Sequence, residues 1–179
     1  MTSGVTTFPT AIGTCAIAWS MDRVCGVALP ESGEVATRDS LQRRHPEAND
    51  HTPGAAVRDA IERITALLEG AADDLRDIEV DYADTSGFAR SVYEVARGVG
   101  PGETTTYGEI AKQLGTPHAA REVGQALGRN PVPIVVPCHR VLGAGGRLVG
   151  FSAPGGVATK LRMLAIEQAV APHGQTALF

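Results

Sequence analysis

Asn130-Pro131-Val132-Pro133-Ile134-Val135-Val136-Pro137-Cys138-His139-Arg140-Val141 is the stretch on which the reading of this chain turns. Its prolines remove backbone donors and fix φ, so the segment is too interrupted to be a helix. Asn130 is suited to hold a turn by bonding nearby backbone, the apolar run Ile134–Val136 buries the middle, and Cys138 is delivered beside a histidine and an arginine. A cysteine reacts as its thiolate, and its pKa falls from about 8.5 when a cation or a histidine lies close. Taken alone, a free cysteine is as a rule one more small buried apolar residue. The rigid approach and the two neighbours point instead to a placed, reactive thiol.

Outward from this segment the chain reads as helices joined by breakers. Phe88–Arg97 repeats its apolar residues at helical period and gives way to Gly98–Gly102. Tyr107–Leu114 is a short helix ended by Gly115-Thr116-Pro117, and His118–Leu127 is a second one, the outline of a helix-turn-helix. The second helix carries Ala119, Ala120, Gly124 and Ala126, a small face able to lie close to another backbone. Gly143–Gly150 is a glycine-rich turn or hairpin, and Ala158–Ala169 a final helix.

The N-terminal part reads differently. The β-rich runs Thr14–Trp19 and Val24–Leu29 flank Ser20-Met21-Asp22-Arg23, a hairpin connection, so a small antiparallel sheet is expected. Ser32–Pro53 is polar and reads as a loop with one short helix, Ala55–Leu68 is an amphipathic helix, and Ile78–Tyr82 is read as one more strand. Thr85-Ser86-Gly87 offers a turn and an N-cap. The boundary falls there, dividing an α/β domain 1–84 from a mostly α domain 85–179.

Taken as a bulk number, the net charge of −4 argues against a nucleic-acid partner. The charge is unevenly placed, however. Residues 1–80 hold seven basic and thirteen acidic side chains, whereas 110–166 holds seven basic residues against Glu122 alone, a local +6 that suits phosphate. Three cysteines, Cys15, Cys25 and Cys138, cannot all pair, so at least one thiol is free. None belongs to a CxxC pair and the histidines are scattered, so neither a metal nor a cofactor is expected. No apolar run reaches the roughly 18 residues that span a bilayer, and the start, Met1–Thr10, lacks the features of an export signal, so a cytoplasmic protein without membrane contact is expected.

Pro137-Cys138-His139-Arg140-Val141 after Asn130-Pro131, with Thr106-Tyr107-Gly108 and Ala119-Ala120-Arg121 upstream and Gly155-Gly156 and Glu167 downstream, resembles the O6-alkylguanine-DNA alkyltransferases, also called methylated-DNA–protein-cysteine methyltransferases. Order and spacing match over Phe88–Glu167. The resemblance implies an N-terminal ribonuclease-H-like sheet with a helix and a C-terminal winged-helix-like domain. It also implies DNA repair by single, irreversible, stoichiometric transfer of an alkyl group from O6 of guanine to Cys138, with O4-alkylthymine left open as a second substrate. His139 and Glu167 match the family's relay, in which the carboxylate orients the imidazole and the imidazole, through a water, draws the thiol proton. Tyr107 matches the tyrosine that donates toward the purine, and Asn130 the residue that holds the turn.

The resemblance further implies double-stranded DNA as partner, entered from the minor groove, with the damaged guanine flipped out of the stack. Arg121 matches the arginine finger that fills the vacated space; Thr106, Tyr107, Ala119, Ala120, Gly124 and Arg140 are placed at the DNA, and Pro133, Val141, Phe151 and Ser152 at the substrate pocket. The working state is a monomer, with cooperative assembly on DNA left open. Departures are Phe151, where many members carry tyrosine, Glu122 beside the finger, and a longer loop Phe151–Gly156, expected to alter the size of alkyl group admitted. A non-catalytic lesion sensor on the same scaffold is the alternative, and the presence of Cys138 speaks against it.

Overall fold

The computed structural model describes residues 3–83 and 85–169. Asp84, at the expected boundary, and the last ten positions of the expected 85–179 unit lie outside the described residues.

The sheet has three strands in the order β1 (Ser3–Thr10), β2 (Gly13–Ser20), β3 (Arg23–Ala28), all antiparallel. The hairpin around Met21-Asp22 is as the sequence suggests. Strand β1 is an addition; Val5, Thr6, Thr7 and Phe8 suit a strand, and Pro9, which interrupts the pattern, is accommodated because β1 is an edge. Side chains of β2 and β3 alternate between two cores. Ala16, Ala18, Cys25 and Ala28 pack beneath α1 (Glu34–Arg44) with Leu41, and Cys15, Ile17, Trp19, Val24 and Val27 face α2 (Ala55–Leu68). Helix α1 is mostly polar and buries only Thr37 and Leu41, which is why the sequence shows little more than a loop there. Helix α2 has the expected bounds and buries Val57, Ala60, Ile64 and Leu67 along one stripe.

Ile78–Tyr82 does not form the expected strand. It touches β3 at a single bridge, where Val24 N–H donates to Glu79 O and Asp81 N–H to Val24 O. Ser86 caps α3 (Gly87–Arg97) by accepting from Ala89 N–H, and buried Arg97 donates to the carbonyls of Leu75, Arg76 and Ile78, tying α3 to the preceding connection. Strand β4 (Thr105–Thr106) leads into α4 (Tyr107–Gln113), and α5 (Ala120–Gly128) follows after a turn through Gly115 at φ +73. Helices α4 and α5 pack on one another and on α3, giving the expected helix-turn-helix.

Beyond it, β5 (Val141–Leu142) pairs in parallel with β4, and Gly143–Gly150 is a turn rather than a hairpin, closed by Gly143 N–H to Arg147 O. The last described helix, α6, spans Gly156–Ile166. One continuous apolar core runs from β2 and β3 through Tyr93, Ile110 and Val123 to Val135 and Val141. Among the described residues no helix is long and apolar enough to cross a membrane.

Candidate active site

The segment before Cys138 is held by its own asparagine. Asn130 Oδ1 accepts from Val132 N–H at 3.0 Å and its Nδ2 donates to Val136 O at 2.9 Å, so one side chain closes a loop of six residues. Inside that loop Val136 N–H bonds Val132 O, and Ile134 takes a positive φ of 78°, a strained setting for a β-branched residue that the surrounding bonds enforce. Val132, Ile134, Val135 and Val136 are fully buried, anchoring the loop in the core. The chain then turns through a short 3-10 helix, Cys138–Arg140, which points Cys138 into a cavity of about 980 Å³ and sends His139 and Arg140 inward.

His139 is 0% exposed, and its Nε2 lies 2.9 Å from Glu167 Oε1. An ionised carboxylate only accepts, so Nε2 carries the hydrogen; in the neutral ring Nδ1 is then the basic nitrogen. Nδ1 is buried and has no hydrogen-bond partner among the described residues. Burial draws the His139 pKa below its usual value against the pull of Glu167, so the ring is neutral near pH 7. Burial also works on Glu167, in the opposite direction. His139 and Arg140 outweigh it and hold the carboxyl down to about 2.

Arg140 supplies much of that field. Its Nε and Nη2 grip the two Glu167 oxygens at 2.9 and 2.7 Å, and its Nη1 donates to Val99 O at 2.7 Å. The side chain is 1% exposed, so the placement of Arg140 at the DNA is corrected: it is an internal clamp on Glu167. Val141 is corrected likewise. It is fully buried in β5 and does not line the cavity. Cys138, Tyr107, Asn130, Pro133, Phe151 and Ser152 do line it.

Lys160 of α6, one of the seven basic residues between 110 and 166, is fully buried. Its Nζ donates to Val141 O at 2.6 Å and Val149 O at 3.3 Å and sits 5.9 Å from the ring centres of both Tyr107 and Phe151. Burial lowers its pKa to about 8, with Cys138 acting in the other direction. The sequence did carry a signal: Lys160 shares a helix face with Met163, Leu164 and Glu167 at spacings of three, four and seven. Burial pushes the Cys138 thiol up, only partly offset by a hydrogen bond from Asn130, the Lys160 charge and the backbone N–H groups of Cys138 and His139. The lowered pKa expected from its neighbours is therefore not found. At rest Cys138 is a thiol that needs a base.

Tyr107 opens α4, where Thr106 is the N-cap, and its hydroxyl reaches Val149 O and Gly150 O at 3.3 Å. Gly124 of α5 lies against the Tyr107 ring, where a Cβ would touch it at 3.8 Å. Ser152 Oγ donates to Gly128 O at 2.9 Å, fastening the longer loop to the end of α5. Ala119 and Ala120 are half-buried at the start of that helix. Arg121 is exposed one residue further on and makes no hydrogen bond or ion pair among the described residues. All three cysteines are free thiols.

Comparison with known proteins agrees with this geometry. The sequence model described as "6-O-methylguanine DNA methyltransferase, DNA binding domain" matches residues 87–169. The methylated-DNA–protein-cysteine methyltransferase of Mycobacterium bovis is 40% identical over 153 residues, 84% of this chain and 90% of that protein. The protein of the same name from Mycolicibacterium paratuberculosis is 45% identical over 121 residues, 68% of this chain and 71% of its own length. The crystal structure of Mycobacterium tuberculosis OGT in complex with DNA superposes with a TM-score of 0.70 at 32% identity, covering 92% of each chain. With a relative at this identity spanning most of its length, the chain belongs to the methylated-DNA–protein-cysteine methyltransferase family.

Proposed function

We propose that this protein repairs DNA by moving the alkyl group from O6 of guanine to Cys138, once per molecule. The observation that carries the reading is the pairing of His139 Nε2 with Glu167, which leaves the other imidazole nitrogen basic and buried beside a cavity-facing thiol. His139 Nδ1 takes the thiol proton through a water, and the sulfur attacks the alkyl carbon in line. The S–C bond forms as the C–O6 bond breaks, and the electron pair leaves with guanine. The Tyr107 hydroxyl delivers a proton to the departing ring and is reprotonated, through water, from the His139 imidazolium, so that the thiol hydrogen ends, net, on guanine. A thioether has no route back, so Cys138 is spent.

DNA is the partner, and the finer contacts are part of the proposal. Helix α5 enters the minor groove with Thr106, Tyr107, Ala119, Ala120 and Gly124 near the backbone, and the guanine is flipped into the cavity. Arg121, exposed and uncommitted, fills the gap in the stack; its planar guanidinium stacks and donates together, which lysine does not. The unit beginning near residue 85 carries this chemistry, and the protein works as a monomer on DNA. Whether O4-alkylthymine is also accepted is read from the same assay with that base.

Incubation with an O6-methylguanine duplex is expected to add one methyl mass to the peptide holding Cys138. Cys138→Ala binds DNA and transfers nothing; a methyl found on any other residue, or none at all, overturns the reading. For Arg121→Ala, duplex repair is expected to slow by roughly tenfold while transfer from the free modified base changes much less. Equal losses on both substrates would make Arg121 a fold residue.

A further inference from the structure

The basic segment 110–166 holds a single acid, Glu122, and that acid stands directly after Arg121 in the first turn of α5. The fold makes no use of its side chain. Val123, Ala126 and Leu127 are the buried side of α5, so Arg121, Glu122 and Gln125 form one exposed patch, with Gln125 four and three positions beyond the other two. Among the described residues Glu122 has neither a hydrogen bond nor an ion pair, with Arg121 or with any other cation. A glutamate at the third helical position can bond back to the N–H of the cap residue. Here the cap is Ala119, and its N–H already donates to Thr116 O at 2.9 Å.

An ionised carboxylate only accepts hydrogen bonds, and that decides what it can meet on a helix lying in the minor groove. The floor of that groove is lined with acceptors, purine N3 and pyrimidine O2, and carries one donor, the N2 amino group of guanine. An A·T pair therefore faces Glu122 with acceptors alone, between phosphates of the same sign. A G·C pair offers the one hydrogen it can take. Register places Glu122 over such a pair: successive Cα atoms are about 3.8 Å apart, close to the roughly 3.4 Å rise of one base step. With Arg121 in the space of the flipped guanine, its neighbour on the same patch lies against a flanking pair.

We infer that Glu122 is a specificity residue that makes repair depend on the neighbours of the lesion: its carboxylate accepts a hydrogen bond from the N2 amino group of guanine in a flanking G·C pair and disfavours A·T there. The chemistry at Cys138 is unchanged. The inference rests on the proposed reading of alkyl transfer with α5 in the minor groove, and adds to it a preference for the flanking base pair.

The test is the apparent second-order rate of methyl transfer from O6-methylguanine duplexes in which one flanking pair, on the 5′ or the 3′ side, is G·C or inosine·C. Inosine is guanine without the N2 amino group, and its major-groove edge is the same. The G·C-to-inosine·C ratio is taken within each protein, which cancels any general loss, and compared with that of Glu122→Ala, which cancels the differing ease of unstacking. On at least one side the wild-type ratio is expected to exceed that of the variant by roughly tenfold, the yield of one hydrogen bond to a charged group. Glu122→Gln, which keeps one accepting oxygen, retains part of the excess. On the same side, changing A·T to 2,6-diaminopurine·T, which adds the amino group, is expected to speed the wild type and not Glu122→Ala. Equal ratios in the wild type and Glu122→Ala on both sides, or no gain from diaminopurine, overturn the inference; a Glu122 that served only the helix end would give that result together with a shifted urea midpoint. Two outcomes strike the underlying reading instead. Transfer from none of the duplexes overturns alkyl transfer, and repair undisturbed by a benzyl group on N2 of either flanking guanine, which obstructs the minor groove, overturns the placement of α5.

Discussion

The chain assembles a thiol, an imidazole and a carboxylate twice. At Cys138 the three are Cys138, His139 and Glu167; on the sheet they are Cys25, His45 and Glu47. In the second set Cys25 Sγ lies 3.7 Å from His45 Nδ1, and the same nitrogen is 3.7 Å from Glu47, too far for a hydrogen bond. Glu47 is 59% exposed and held by nothing comparable to Arg140. Burial, then the charges of Asp81 and Glu47, push the Cys25 thiol up to about 12. Around Cys138 burial again pushes the thiol up, but the Asn130 side chain, the Lys160 charge and the backbone N–H groups all act the other way. The same three groups thus stand in two different settings. The difference lies in the sign of the surrounding charge and in whether the carboxylate is clamped.

The largest effect is expected from undoing the clamp. Glu167→Gln removes the charge that orients His139 and leaves Arg140 buried without its counter-ion. Transfer is expected to fall by roughly 10²–10⁴-fold, the usual contribution of a positioned base, and stability by about 3–5 kcal/mol, the cost of breaking a buried pair. Single-turnover rates and urea unfolding read the two separately. The sign with pH follows from the low folded pKa. Glu167 goes from its ordinary 4.5 to about 2, so the stabilisation is fully present above pH 4.5 and is lost as pH falls from there toward 2. In Glu167→Gln that slope should be flatter; an unchanged slope would mean that the clamp is not what sets Glu167 apart from Glu47.

A smaller effect is expected at Lys160, the cation that the Cys25 set lacks. Lys160→Met keeps the volume and removes the charge, and transfer at pH 7 is expected to slow by roughly tenfold, about 1.4 kcal/mol. In the wild type the ammonium discharges as pH rises through about 8, so its help fades above that pH while rising alkalinity favours the thiolate. The variant should therefore recover toward the wild-type rate between pH 7 and 9. A ratio of the two rates that does not change with pH would assign Lys160 to holding Val141 and Val149 in place and not to the thiol.

How much of this was legible beforehand depends on whether a residue's role is local. Helix α2, the cap at Ser86 and the helix-turn-helix announce themselves because their bonds run within a few positions of sequence. The bend at Cys138 is legible for the same reason, since Asn130 closes it across six residues. What stayed hidden depends on partners far along the chain. Arg140 reads as a surface cation until Glu167 and Val99 are seen to surround it, 27 and 41 residues away. Ile78–Tyr82 has strand composition yet finds only one residue of β3 to pair with, whereas β1, whose Val5-Thr6-Thr7-Phe8 run is broken by Pro9, pairs along its whole length. The cavity wall at Val27–Ser32 carries no motif; it is positioned by a bond to Pro131.

The smallest effect should come from Cys25, and it is the sharpest check on the comparison because it is made without touching the reactive site. Cys25→Ala is expected to leave the transfer rate within about twofold, since Ala16 and Ala18 already line that face and a small apolar residue fits among them. In the wild type, alkylation by iodoacetamide at pH 8 should leave Cys25 intact, its thiol being protonated and only 9% exposed. Removing one acid at a time then asks whether charge or access protects it. Glu47→Gln and Asp81→Asn each take away a negative neighbour, lowering the Cys25 pKa and raising its thiolate fraction, so labelling should quicken in both and most in the double variant. If labelling stays absent in the double variant, burial alone silences Cys25. The contrast with Cys138 would then rest on access, Cys138 facing the large cavity and Cys25, 9% exposed, only a smaller one, and the sign of the surrounding charge would matter only after a thiol has been given access.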